Sequence, residues 1–139
     1  MAIQYYVGAK AIIFNTKLKK LLVLKRSVYD IAAGFWENAG GKKEVGETLE
    51  DSLKREVQEE TGIEVNDFYF LYTSVNNEKN NPYFIIGYFV PTEKEDIELS
   101  FEHVEYRWVS IEEYLELVDM TIRHDFRNSN VLEYIKKYN

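Results

Sequence analysis

Cysteine is absent from this sequence of 139 residues, and the only histidines are His103 and His124. The absence of cysteine excludes disulfide bonds, a thiolate nucleophile and every cysteine-ligated zinc site. Two histidines are too few for a histidine-rich zinc centre. Oxygen ligands are therefore the main candidates for any metal site in this chain.

Long apolar runs and clustered basic residues are also missing. No apolar run reaches the length of a membrane-spanning helix, and the first residues lack the basic segment and apolar core of a signal peptide. The net charge is −7, and no basic tract could hold a long polyanion. We expect a cytoplasmic protein, monomeric or homodimeric, that contacts neither a membrane nor a nucleic acid polymer.

The composition is otherwise that of an ordinary globular protein, with 45% hydrophobic and 29% charged residues. Its length predicts a single domain over residues 1–139. Periodicity predicts strands at 5–14, 20–25, 68–75, 83–90 and 106–109, helices at 48–61, 111–118 and 128–138, and loops or turns at 15–17, 27–35, 76–82 and 91–100. Strands on both sides of a helix indicate an α/β architecture.

The most informative stretch is residues 41–63, GKKEVGETLEDSLKREVQEETGI. If its second half is helical, the carboxylates of Glu56, Glu59 and Glu60 lie within one turn of each other and repel. A hard divalent cation such as Mg²⁺ or Mn²⁺ would relieve this repulsion, because it prefers carboxylate oxygens. The pattern therefore predicts a metal-binding face.

The same helix has a separate face for packing. Leu49, Leu53 and Val57 recur every four residues and form an apolar stripe. Thr48 is a suitable N-cap, and Gly62 suits the left-handed residue that ends a helix. We expect one face of the helix to pack and the other to bind charge.

The stretch resembles the box that defines the Nudix hydrolase family. The fixed positions of that box are filled by Gly41, Glu47, Arg55, Glu56, Val57, Glu59, Glu60, Gly62 and Ile63. The resemblance implies a MutT-like member whose mixed β-sheet is sandwiched between α-helices. It also implies a metal-dependent pyrophosphohydrolase that cleaves a nucleoside diphosphate linked to a group X.

The resemblance assigns metal ligands to the box. It implies that Glu56, Glu59 and Glu60 bind Mg²⁺ or Mn²⁺, that the Gly40 carbonyl adds another oxygen, and that Glu47 holds a metal through water. Arg55 is expected to pair with a carboxylate, with Glu47 as the first candidate, because a guanidinium binds carboxylate at two points.

The catalytic base is open among three carboxylates. Glu102 matches the position of a downstream acidic ligand or base in MutT-like members, and Glu105 and Glu56 are its competitors. The predicted catalytic residues are Glu56, Glu59, Glu102 and Arg55.

Substrate recognition is predicted at Trp36 and Asn128. Asn128 matches a base-reading asparagine of MutT-like members, although an asparagine there could equally be a helix N-cap. The expected partner is a small free nucleotide, first a (deoxy)nucleoside triphosphate. The alternatives are a dinucleotide polyphosphate, ADP-ribose, a nucleotide sugar, or a module that binds a nucleotide without cleaving it.

Overall fold

The computed structural model of the chain describes residues 2–27, 34–77 and 82–139. Its elements, in chain order, are β1 Tyr6–Asn15, β2 Lys20–Arg26, β3 Trp36–Glu37, β4 Ala39–Lys42, α1 Leu49–Thr61, β5 Tyr69–Asn76, β6 Tyr83–Thr92, β7 His103–Val109, α2 Ile111–Leu117, α3 Met120–Arg127 and α4 Val131–Lys136. None of the helices in these ranges is long and apolar enough to span a membrane.

The strands of the described residues form one mixed sheet with β1 near its centre. The main strand order is β3-β2-β1-β6-β5, while β4 pairs with β1 and β7 with β2. β1 and β6 run parallel, and the other pairs are antiparallel. β1 pairs with β4 near its start and with β2 at its end, so it changes partner along its length.

Apolar clusters cover both faces of the sheet. Alternate residues of β1 enter different clusters, which places the clusters on opposite faces because neighbouring side chains of a strand point in opposite directions. The cluster under α1 includes Ala9, Ala11, Ile13, Leu53 and Val57. The cluster under the other helices includes Ile12, Phe14, Tyr114, Phe126 and Ile135. The predicted α/β fold, a mixed sheet between helices, is thus confirmed.

Helix α1 begins and ends where the sequence predicts. The Thr48 hydroxyl accepts a hydrogen bond from the Asp51 N–H at 3.1 Å, and Gly62 has φ 77° in the left-handed region. Ser110 caps α2 in the same way, because its hydroxyl accepts a hydrogen bond from the Glu113 N–H at 3.1 Å. These signals are local in sequence, which explains why they predict the helix well.

Other elements differ from the predictions. β3, β4 and α3 are absent from the predictions, and the two strands are too short to show alternation. β7 begins at His103, three residues before the predicted start, and the final helix is Val131–Lys136, shorter than 128–138. The predicted loop 27–35 and turn 76–82 fall partly outside the described residues.

Candidate active site

The acidic face of α1 lies against the glycine pair of β4. The Gly40 N–H donates a hydrogen bond of 2.7 Å to Glu60 Oε1. The Glu56 carboxylate lies over Gly41, where an added Cβ would be 2.6 Å from it. Gly40 has φ 141°, and a Cβ there would be 2.1 Å from the Ala9 carbonyl oxygen. Glycine at both positions therefore lets the strand approach the helix and its carboxylates closely.

Arg55 ties the box loop to the helix. Its Nε and Nη2 donate to the two carboxylate oxygens of Glu47 at 3.1 and 2.8 Å, so the predicted two-point pair is present. Its Nη1 also donates to Glu56 at 2.9 Å and to Glu59 at 3.4 Å. Hydrogen bonds from Arg55 and from the Glu44 N–H lower the pKa of Glu47 to about 2. Glu47 is therefore an ionised partner of Arg55, and its contact with a metal through water stays a prediction.

A cleft of about 410 Å³ opens beside these residues. Its lining carries charges of both signs. Its lining residues are Lys10, Arg26, Glu37, Gly40, Gly41, Lys42, Glu56, Glu60, Asn76, Tyr83 and Glu102. Glu59 lines a neighbouring depression of about 310 Å³ together with Glu56, Glu60 and Glu102. The structure thus brings Gly40, Glu56, Glu59, Glu60 and Glu102 to one place.

Glu37 is the most important cleft residue that the sequence analysis missed. Its carboxylate accepts hydrogen bonds from Arg26 Nη1 at 3.1 and 3.0 Å and contacts His103 Nε2 at 2.9 Å. Lys10 Nζ lies 3.5 Å away. Burial by itself raises the pKa of Glu37, but Lys10, His103 and Arg26 outweigh burial and lower it to about 2. In the sequence, Glu37 stands out only as a charged residue among the apolar and small residues around Trp36.

The pKa values of the box carboxylates Glu56 and Glu60 shift in the opposite direction from that of Glu37. Burial raises the pKa of Glu56, with Arg55 opposing the rise and Glu59 and Glu102 adding to it. Burial also raises the pKa of Glu60, as does the neighbouring Glu102, against the lowering effects of Lys10 and the Gly40 N–H. Negative charge is therefore disfavoured at these two carboxylates unless a further cation comes close.

This donor set fits a hard divalent cation. The candidate ligands are all oxygen atoms, and added positive charge would offset the mutual repulsion of the carboxylates. In the described part of the chain, however, no three acidic or imidazole side chains yet lie close enough to hold a metal. Arg55 engages Glu56 and Glu59, and the Gly40 N–H engages Glu60. The three candidate carboxylate ligands lie near one another, but each of them accepts a hydrogen bond from a donor of the protein.

The three candidate bases are placed differently. Glu56 and Glu102 both line the cleft. Glu105 lies on β7, does not line the cleft, and accepts a hydrogen bond of 2.9 Å from Arg107 Nε. The geometry therefore favours Glu102 and Glu56 over Glu105.

Trp36 does not line the cleft, so its substrate-binding role gains no support from this geometry and stays a prediction. The indole is 9% exposed and belongs to the apolar cluster under α2, α3 and α4, across the sheet from α1. The Arg107 guanidinium covers its ring at 4.7 Å from the centroid. In this structure the Trp36 side chain packs as a core residue.

Asn128 is also absent from the cleft lining. It is the C-cap of α3, and its side-chain amide donates to the His124 carbonyl oxygen at 2.8 Å. It borders a separate, open groove with residues of β5 and with Tyr134. The base-reading role of Asn128 gains no support from this geometry and stays a prediction. The N-cap alternative is wrong, because α4 has Asn130 at its N-cap.

Comparisons with known proteins point to one family. The sequence pattern of the NUDIX domain matches residues 4–133. The 8-oxo-dGTP diphosphatase of Proteus vulgaris is 36% identical over 77 residues, which cover 55% of this chain and 68% of that protein. The CTP pyrophosphohydrolase of Escherichia coli is 47% identical over 45 residues, 32% of this chain and 33% of that protein.

A solved structure extends the likeness to almost the whole chain. The MutT protein of Methanosarcina mazei superposes with a TM-score of 0.77 and 29% identity, covering 99% of this chain and 96% of that one. The sheet and the flanking helices thus match a Nudix fold. Because the domain pattern covers residues 4–133 and the box residues border one cleft, this chain belongs to the NUDIX domain family.

Proposed function

We propose that this chain is a pyrophosphohydrolase that requires Mg²⁺ or Mn²⁺ and cleaves a small free nucleotide, first of all a (deoxy)nucleoside triphosphate. The observation that supports this most is the mixed charge of the cleft. Its lining includes the carboxylates of Glu56, Glu60 and Glu102 together with the cationic side chains of Lys10 and Arg26. A metal-bound polyphosphate has charges of both signs, and this lining complements them.

The acidic and the basic residues of the cleft have different chemical roles in this proposal. When bound, a divalent cation screens the charges of the phosphate oxygens and makes a nearby water more acidic. Lys10 and Arg26 orient and further screen the phosphate chain. Glu102 or Glu56 takes the proton from the attacking water. Arg55 keeps the Glu56 and Glu59 carboxylates in register with the box loop.

The triphosphate preference rests on the relatives and on size. The two named relatives are described as enzymes of 8-oxo-dGTP and of CTP, both nucleoside triphosphates. A cleft of about 410 Å³ suits a small ligand. The net charge of −7 also disfavours a long polyanion.

A substrate panel tests the proposal. The purified chain with Mg²⁺ is given dGTP, 8-oxo-dGTP, CTP, a dinucleoside tetraphosphate, ADP-ribose, a nucleotide sugar and a capped RNA. We expect the highest kcat/KM for a triphosphate, with a monophosphate and pyrophosphate as products. A capped RNA preferred tenfold or more over every free nucleotide would contradict the proposal.

The second candidate is a module that binds a nucleotide without cleaving it. The complete box argues against it, because Glu56, Glu59 and Glu60 are all present. Saturable binding of a panel nucleotide with no product after prolonged incubation with Mg²⁺ would favour this second function.

A further inference from the structure

Lys10 is an unusual residue for the centre of the sheet. It is the one charged residue in the β1 sequence YVGAKAIIFN, and its side chain is only 18% exposed. Its Nζ lies 3.4 Å from the Gly40 carbonyl oxygen and 3.5 Å from Glu37 Oε1. A buried ammonium is costly unless it is paired, so these contacts must offset the loss of hydration.

The neighbours of Lys10 include proposed metal ligands. The Gly40 carbonyl and Glu60 are both proposed to bind the cation. The Gly40 carbonyl already accepts a hydrogen bond of 3.4 Å from the Lys10 ammonium. Burial lowers the pKa of Lys10, but Glu37 and then Glu60 raise it above its ordinary value, so Glu60 also interacts with this charge. Protein cation and metal cation would share these oxygens, while their like charges repel.

We propose that Lys10 is an internal counter-ion of the metal site. Its ammonium holds the Gly40 carbonyl and the surrounding carboxylates together when no divalent cation is bound, and it weakens metal binding by repulsion. Lys10 therefore stabilises the metal-free protein and limits metal affinity at the same time. This inference rests on the proposed metal site but not on the proposed hydrolysis.

The expected changes in stability and in metal affinity have opposite signs, which distinguishes a counter-ion from a residue that only packs. Loss of a purely structural residue would lower both the stability and the metal affinity. Loss of a counter-ion lowers the stability of the metal-free protein and raises the metal affinity. For charges several ångströms apart near a protein surface, we expect the gain to be about tenfold.

Three substitutions and one control test the proposal. Lys10→Met removes the charge, Lys10→Gln removes the charge but keeps a donor for the Gly40 carbonyl, and Lys10→Arg keeps the charge. The control is Lys25→Met, a half-buried strand lysine that contacts the Trp36 ring and does not line the cleft. The measurements are the Tm in chelator and the Mn²⁺ dissociation constant from titration followed by electron paramagnetic resonance.

We expect Lys10→Met and Lys10→Gln to melt at lower temperature in chelator than the parent and to bind Mn²⁺ about tenfold more tightly. Lys10→Arg and Lys25→Met should bind Mn²⁺ like the parent. If Lys10→Met does not fold, Lys10→Gln decides the outcome. Unchanged or weaker Mn²⁺ binding by the neutral variants would overturn the inference.

The measurements distinguish a failure of this inference from a failure of the proposed function. A parent protein that binds Mn²⁺ but hydrolyses no nucleotide would refute the proposed function and leave this inference standing. A parent that hydrolyses nucleotides, with Mn²⁺ affinity the same in Lys10→Gln, would refute the inference alone. A parent without saturable Mn²⁺ binding would overturn both.

Discussion

Glu59 is the most exposed of the three box carboxylates. Its side chain is 57% exposed, against 15% for Glu56 and 5% for Glu60, and its contact with Arg55 is long at 3.4 Å. An exposed charge of this kind contributes little to stability. Glu59 is therefore the position at which a metal role can be tested with least effect on folding.

We predict that Glu59→Gln keeps the parent Tm and loses about a hundredfold in kcat, since one preorganised electrostatic contact is worth about 3 kcal/mol. The matched control is Glu50→Gln, the same change at an exposed position in the first turn of α1. Steady-state kinetics and a thermal melt check both variants. Equal turnover by parent and Glu59→Gln would mean that Glu59 is not a ligand.

Glu37 gives a prediction about acid stability. Its pKa falls from 4.5, the ordinary value, to about 2 in the folded protein. A lowered carboxyl pKa stabilises the fold at pH values above the unfolded pKa, and this contribution is lost as the pH falls from 4.5 towards 2. The shift corresponds to about 3 kcal/mol at neutral pH.

The measurement is urea unfolding of the parent and of Glu37→Gln between pH 7 and pH 3. We expect the parent to be more stable at pH 7 and the difference in unfolding free energy to shrink steadily below pH 4.5. Glu112→Gln, an exposed glutamate of α2, should show no such trend. A difference that stays constant over this pH range would show that Glu37 does not act through its charge.

At the scale of elements, the contact between β4 and α1 predicts different effects for two glycine-to-alanine substitutions. In Gly41→Ala the new Cβ meets the end of the flexible Glu56 side chain, which can move aside. In Gly40→Ala the new Cβ meets the Ala9 carbonyl of the neighbouring strand, at a φ of 141° that favours glycine. The first change should displace a carboxylate, and the second should strain the backbone.

We therefore expect Gly41→Ala to keep a near-parent free energy of unfolding but to lose activity on the order of a hundredfold, because a reacting group is misplaced. Gly40→Ala should lose about 1–3 kcal/mol of stability. Chemical denaturation and kcat/KM measure both effects. Gly41→Ala with parent activity would indicate that the position of the Glu56 carboxylate is not important.

The elements also show which parts of the site the sequence could predict. Helix α1, its caps and the Arg55–Glu47 pair depend on residues within eight positions of each other, so local patterns are enough. The partners of Glu37 are separated from it by 11 residues at Arg26 and by 66 at His103. Only the paths of β1, β2, β3 and β7 bring these residues together, and no local pattern records that.

The surroundings of Trp36 and Asn128 could not be predicted from the sequence. The sheet turns the indole into the core under α2, and the end of α3 uses the amide as a cap. The face of a strand or the end of a short helix decides such roles, and this depends on tertiary packing.

At the scale of the whole molecule, the metal should act as a stabilising ligand. A cation that binds only the folded state at a hundred times its Kd contributes about 2.7 kcal/mol, which raises the Tm by several degrees. We expect Mg²⁺ and Mn²⁺ to raise the parent Tm. The shift should be smaller in Glu56→Gln, which removes a proposed ligand. Differential scanning calorimetry with and without chelator measures the effect, and identical shifts in both proteins would argue against Glu56.

The central claim is that the acidic face of α1 holds a divalent cation needed to cleave a nucleotide. The most direct measurement is the initial rate of (deoxy)nucleoside triphosphate hydrolysis, with the products identified, as Mg²⁺ is removed by excess chelator and then restored. We expect turnover to monophosphate and pyrophosphate to stop in chelator and to return with Mg²⁺ or Mn²⁺. Undiminished turnover in excess chelator would contradict it.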